Sequence, residues 1–260
     1  VHHQAIPSVK GENNVSYDHS KKIGNQGDVV KHHALTCIAD EIIRKNKKKF
    51  VYVESHTGRH RYTLTRNGEW RQGIGLLLPR CAREGSTYSG SSEIVFSLVG
   101  DRREFEFILH ETDPKVCRDL MLYYDDFKRV KVRREDGYAG VLNQTKASLV
   151  LVDPPDLKQP ELLIEVIRKL RERNIPFICW TPRIGNSGGP TKIPTEGAVY
   201  VKFREDVKKM TNVEPILVRW YDKWRSKTCG CCLHVFPNYL RTLAKKGIDR
   251  IISDLGWLEE

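Results

Sequence analysis

The run Leu149-Val-Leu-Val-Asp-Pro-Pro-Asp156 sets four apolar residues directly before a carboxylate and two prolines. It reads as a strand buried on both faces, so Asp153 falls where the strand leaves the sheet, the place at which open α/β sheets put ligand chemistry. Pro154 and Pro155 lack an N–H and hold φ at about −65°, which stiffens the turn and fixes the direction of its carbonyls. A carboxylate beside rigid carbonyls is an acceptor pair suited to an exocyclic amino group, such as that of adenine. Asp-Pro also ends strands with no chemistry attached, so the meaning of the motif depends on what else reaches the same edge.

Three further strand exits carry acids. Phe50-Val-Tyr-Val-Glu54 reads as a first core strand and leaves through Ser55-His-Thr-Gly58. The stretch from Phe105 to His110 leaves through Glu111-Thr-Asp113, and Val130 to Arg133 leaves through Glu135-Asp-Gly137. A carboxylate after the second strand can accept both hydroxyls of a ribose, and an Asp-Gly after the third can hold an adenine edge while the glycine admits the ring. The acids in this order point to a cofactor containing ribose and adenine. Asp and Gly are common in turns, so no one exit carries that reading alone.

The intervening segments are what should position these exits. A helical pattern starts at Asp28, with Val30, Ala34, Cys37, Ile38 and Ile42 on one face and a lysine run closing it after Arg44. A helix with Ile74, Leu76, Leu77 and Leu78 is expected next, then a Gly/Ser-rich loop from Gly85 to Ser92 that either cradles a ligand or turns. Helices are expected over Asp113–Tyr124, after Gly137, and over Pro160–Arg173, with Pro176-Phe-Ile-Cys-Trp180 as a fifth strand. Strands alternating with helices argue a doubly wound parallel sheet. Beyond the Gly/Pro-rich loop from Arg183 to Pro194, Pro215–Tyr221 and Cys229–Phe236 have no helix between them and read as an antiparallel terminal hairpin. The fold class is therefore α/β, with a single mostly parallel seven-stranded sheet. Residues 1–15 read as a flexible leader, and 16–260 as one domain.

The chain has 260 residues, 39% of them hydrophobic, enough for a sizeable core. Lys and Arg number 44 against 33 Asp and Glu, and the resulting +11 favours a polyanionic partner, nucleic acid first. No stretch reaches the roughly 18 apolar residues of a membrane span, and no charged-then-apolar signal segment opens the sequence. With seven cysteines in no regular framework, a reducing, cytoplasmic setting is expected. Cys229, Cys231, Cys232 and His234 are spaced C-x-C-C-x-H, which in a strand divides the thiols between two faces. Small buried thiols are expected there, and no metal.

Tyr17-Asp-His-Ser-Lys-Lys-Ile-Gly-Asn-Gln-Gly-Asp-Val-Val-Lys-His32 resembles the amino-terminal signature of the large-subunit ribosomal RNA adenine-N6 methyltransferase J family. The resemblance continues in order through Ser55-His-Thr-Gly58, Arg61-Tyr62, Tyr88-Ser-Gly-Ser91, Glu111 with Pro114, Asp136-Gly137 and Asp153-Pro-Pro155. It implies S-adenosylmethionine as cofactor, with His32, His56, Gly58, Ser91, Glu111, Asp136, Gly137 and Asp153 around the methyl donor. It also implies a catalytic turn of Asp153, Pro154, Pro155 and Asp156, with Tyr17 near the substrate nucleotide. Lys31, one turn after Asp28, and Trp180, at the next strand exit, are candidate substrate contacts. RNA is the favoured partner over DNA, and the oligomeric state is open.

Two positions depart from the family pattern. Asp156 stands where the family has an aromatic residue, normally Tyr, whose ring stacks on the target base. Gly58-Arg59-His60 stands where the family has Gly-x-Gly, and a side chain at the second glycine either crowds the donor or requires another loop path. The expected activity is methyl transfer from S-adenosylmethionine to an exocyclic nitrogen of adenine in RNA. The competing readings are a catalytically degenerate nucleic-acid binder and a methyltransferase for DNA or a small molecule.

Overall fold

The structure is a computed structural model that describes residues 22–45, 49–100, 104–183, 198–222, 227–255 and 258–259. Tyr17, the leader expected over 1–15 and most of the loop after Arg183 lie outside the described residues.

Ten strands and eight α-helices occur among them. The strands are β1 (Phe50–Glu54), β2 (Arg61–Thr63), β3 (Thr87–Ser89), β4 (Phe105–Glu111), β5 (Val130–Arg134), β6 (Leu149–Val152), β7 (Phe177–Arg183), β8 (Ile216–Asp222), β9 (Lys227–Phe236) and β10 (Leu258–Glu259). The helices are α1 (Gln26–Lys45), α2 (Ile74–Leu77), α3 (Ser91–Val99), α4 (Pro114–Tyr123), α5 (Gly137–Leu142), α6 (Pro160–Glu172), α7 (Ala198–Thr211) and α8 (Asn238–Leu255). The main sheet runs β10-β8-β9-β7-β6-β1-β4-β5. From β7 to β5 every pairing is parallel, and β9 then lies antiparallel between β7 and β8. The seven expected strands are all present, joined at one edge by the two-residue β10.

Strand alternation sorts the core into two layers. Phe50 and Tyr52 of β1, Phe107 and Leu109 of β4, Leu149 and Leu151 of β6, and Ile178 of β7 pack with α1, α3, α4 and α8. Val53, Ile108, Val150, Val152, Phe177 and Cys179 pack on the other face with α5, α6 and α7. All four residues of β6 are fully buried, each worth roughly 1.5 to 3 kcal/mol relative to exposure, and this anchors the turn that follows. By the same period of two, Glu54, Glu111, Asp153 and Trp180 fall on the α1 side of the sheet.

Several elements differ from the expectations. The helix expected around Ile74 is one turn long, and Leu76 and Leu78 stay exposed. The Gly/Ser-rich loop is half structure: Thr87–Ser89 forms β3, paired with β2 as a separate hairpin, and Ser91 opens α3. Helices α3, α7 and α8 add to the expected set; α8 packs along α1 and closes that face of the sheet. In α1 the inward stripe is Val30, Ala34, Leu35, Ile38, Ala39 and Ile43, while Cys37 and Ile42 are only partly buried. Cys231 is fully buried with the α1-side core, and the Cys232 thiol lies 3.3 Å from His234 Nε2 on the other face.

Candidate active site

The site is built on the exits of β1, β4, β5 and β6, with α1 laid across them. The loop after β1 is clamped from both sides. Thr57 N donates to His110 O at 3.0 Å and Gly58 N to Glu111 Oε2 at 2.9 Å. Gly137, opening α5, approaches so closely that a Cβ there would meet the Ser55 carbonyl oxygen at 1.7 Å, so no other residue fits without moving the backbone. Gly58 itself has φ +64°.

Acids from the β4, β5 and β6 exits converge. The pKa of His56 is lowered by burial, against the opposing charges of Asp153, Asp136, Glu111 and Asp156, so one imidazole feels all four. Ser55 Oγ lies 2.7 Å from His56 Nδ1 and accepts from Asp153 N at 3.3 Å, tying the β1 loop to the β6 turn. Glu111 Oε1 accepts from Thr112 N and Asp113 N, so with Gly58 three of its roughly four lone-pair sites are held by backbone and its plane is fixed. Asp136 caps α5 through Ala139 N at 2.9 Å and remains exposed.

Lys31 is the centre of the α1 contribution. Its Nζ lies 2.7 Å from Asp153 Oδ2 and 3.1 Å from Asp28 Oδ1, with the side chain 6% exposed. Burial works against the charge, yet Asp153 and Asp28 overrule it and hold the lysine pKa well above its ordinary range. Asp28 in turn accepts from Gly24 N at 2.8 Å and donates its own N–H to Asn25 Oδ1 at 3.0 Å. Asn25 Nδ2 reaches Glu69 at 3.1 Å. A continuous polar chain therefore links Asp153 to the segment between β2 and β3. His32 is buried and bonded through Nδ1 to Tyr88 OH at 2.7 Å, with the rings stacked.

Trp180 is not at a strand exit. β7 continues through Arg183 in register with β9, because the antiparallel partner extends it. The indole lies under Lys31, whose Nζ is 5.4 Å from the ring centroid, and its Nε1 is buried without a partner. Asp156 accepts from its own turn at Lys158 N (3.1 Å) and pairs with Lys158 Nζ at 2.9 Å, while Pro154 is buried and Pro155 exposed. Arg59-His60 does not crowd the site. His60 stacks on Tyr123 with centroids 3.8 Å apart, Arg59 pairs with Asp119, and Gly90 admits the close approach of Arg59 O.

Sequence reasoning placed Glu54 at the first exit but gave it no role in the site. It is 0% exposed, accepts from Tyr52 OH at 3.1 Å and from the Ser91 hydroxyl, and burial pushes its pKa up to about 8. The available signal was its parity with Phe50 and Tyr52. Thr57 Oγ1, in the same loop, is buried with no partner. Among the described residues there is no cluster of three or more metal-ligating side chains and no helix long and apolar enough to cross a membrane.

Three comparisons bear on this arrangement. A search of protein-family models finds no match. The chain is 31% identical over 200 residues to "Ribosomal RNA large subunit methyltransferase J" of Haemophilus influenzae, an alignment covering 65% of this chain and 70% of the relative. It is 28% identical over 169 residues to the protein of the same name from Escherichia coli, covering 54% and 59%. Among solved structures, a Legionella pneumophila protein superposes with a TM-score of 0.70 at 17% identity, over 90% of this chain and 94% of that one, which shows a shared fold.

Proposed function

This chain belongs to the ribosomal RNA large subunit methyltransferase J family, and from that premise we propose that it methylates an exocyclic adenine nitrogen in RNA, ribosomal RNA first. The observation that carries the reading is the convergence of Glu111, Asp136 and Asp153 on the loop after β1. The residues present fit S-adenosylmethionine: acceptors for hydroxyl and amino groups line one rim, and the Thr57 hydroxyl is buried without a protein partner. Glu111, with Thr112, Asp113 and Gly58 already on it, has about one lone-pair site left and would accept one ribose hydroxyl, not both, beside Gly58. Asp136 with Gly137 would hold the adenine, while His32, His56 and Ser91 would stand around the remainder. When bound, the cofactor supplies an electrophilic methyl group.

The chain's own part is to present the acceptor. Asp153 keeps its Oδ2 on Lys31, so its rotamer is fixed and its charge is held next to a buried cation. Oδ1 and the Pro154 carbonyl are then the acceptors for the target amino group, aligning the nitrogen lone pair for in-line attack. Asp153 also receives the proton the nitrogen sheds after it has gained the methyl. The base must leave its stack to reach this turn, and an unpaired nucleotide costs least to extract. Pairing with Lys158 offsets the charge that Asp156 adds at that place.

Either Asp153→Asn or Asp153→Ala strips the buried Lys31 of one of its two anions, a loss of up to about 3 to 5 kcal/mol. Asparagine keeps an amide oxygen to accept from the ammonium and fills the same volume, so Asp153→Asn is the cleaner test. The expected result is a fall in methylation of extracted ribosomal RNA of about a hundredfold or more, with S-adenosylmethionine affinity by calorimetry changed little. Undiminished turnover in the asparagine variant would remove Asp153 from the chemistry.

A further inference from the structure

Between β2 and β3 the chain inserts a small lobe whose Leu64 and Trp70 pack against Ile23 from the segment before α1. Residues 59–90 contain six arginines, two glutamates and no lysine. Arg59 and Arg61 are spent on Asp119 and Glu93. Arg66, Arg71, Arg80 and Arg83 are exposed and meet no carboxylate among the described residues.

Two of these, Arg71 and Arg83, line a shallow, open depression of about 430 Å³ together with Trp70, Gly75, Pro79, Ala82 and Glu84. Arg71 is preorganised: its guanidinium lies 4.8 Å above the Trp70 ring and its Nε donates to Arg66 O at 3.1 Å. A planar cation already fixed over an indole offers a face for a nucleobase, and unneutralised guanidiniums beside it suit phosphate. The lobe is also bolted to the catalytic helix. Ile74 N donates to Gly24 O at 2.9 Å, and the polar chain from Glu69 through Asn25, Asp28 and Lys31 ends on Asp153.

Resting on the RNA-methyltransferase reading, we infer that this lobe is the RNA-docking surface, gripping the phosphates of the strand beside the target nucleotide and stacking one flanking base on Arg71. Its rigid attachment to α1 sets the distance between the gripped strand and Asp153. The basic cleft at the far end of the sheet, around Lys128 and Arg129, is not such a surface: its neighbours Lys49 and Lys131 are both drawn onto Glu106.

The test uses the full chain and a fluorescein-labelled RNA hairpin with an adenine-rich loop, followed by anisotropy from about 50 to 300 mM salt. For Arg80→Ala/Arg83→Ala the expected result is about tenfold weaker binding at the lowest salt. The slope of log affinity against log salt should shrink by about 1.4, some 0.7 per lost phosphate contact on a single strand. Lys128→Ala/Arg129→Ala should leave affinity and slope unchanged, and S-adenosylmethionine binding should be the same in all variants. If the wild type binds and methylates RNA while the Arg80/Arg83 variant matches it in affinity and slope, the docking surface is refuted and the activity stands. If the wild type binds S-adenosylmethionine but no RNA at any salt, the RNA reading and this inference fall together.

Discussion

Replacing Glu54 by glutamine gives a stability signature that follows from one buried carboxyl. Glu54 is fully buried beneath α3, and burial, reinforced by Asp153, raises its pKa from the ordinary 4.5 to about 8 despite the hydroxyls of Ser91 and Tyr52. Between these two values the folded protein keeps a proton that the unfolded chain releases. The folded state therefore binds more protons, and stability falls as pH rises through that window. Each pH unit well inside the window costs about 1.4 kcal/mol, so between about pH 5 and pH 8 the wild type should lose about 3 kcal/mol from this group alone. The glutamine amide would be neutral throughout and near-isosteric, able to keep both hydroxyl contacts. Urea unfolding of wild type and Glu54→Gln at about pH 5, 6, 7 and 8 reads the difference directly: the two proteins should be similar at the acid end, with the variant ahead by about 3 kcal/mol at the alkaline end. Curves that stay parallel across the whole range would show that Glu54 ionises normally and that the reasoning from burial is wrong.

Two other changes probe the site. Gly137→Ala drives a Cβ to 1.7 Å from the Ser55 carbonyl, and the separation it forces between the β1 and β5 exits should cost about 3 kcal/mol of stability, with weaker S-adenosylmethionine binding, by denaturation and calorimetry; wild-type values for both would mean the close approach is not required. Asp156→Tyr puts an aromatic face at the proposed catalytic turn and removes an anion, so the RNA KM should fall by roughly five- to a hundredfold, equivalent to about 1 to 3 kcal/mol of base stacking, and an unchanged KM in steady-state methylation would show that the base does not stack there.

Much of the architecture was legible in the residues because it depends on periods and punctuation. The all-apolar Leu149–Val152 run, the alternation of strand and helix from Phe50 to Trp180 and the Asp-Pro-Pro turn determine a parallel sheet with acids along one edge. The hairpin of β2 and β3 was not legible. Each strand has only three residues, and the pairing of Arg61–Thr63 with Thr87–Ser89 is a long-range contact with no local signature. Trp180 was misplaced for a related reason: a strand ends where its partner ends, and β9 carries β7 on to Arg183.

The primary structure by itself determined which groups are present and in what order they leave the sheet, since a fixed two-residue period decides the side of each exit. Only the tertiary structure decided which of them meet. Lys31 with Asp153 across 122 positions, Glu54 with Ser91, and Glu69 with Asn25 are set by how α1, α3 and the inserted lobe settle on the sheet, where the cost of burying each charge is met only if a partner arrives from elsewhere in the chain.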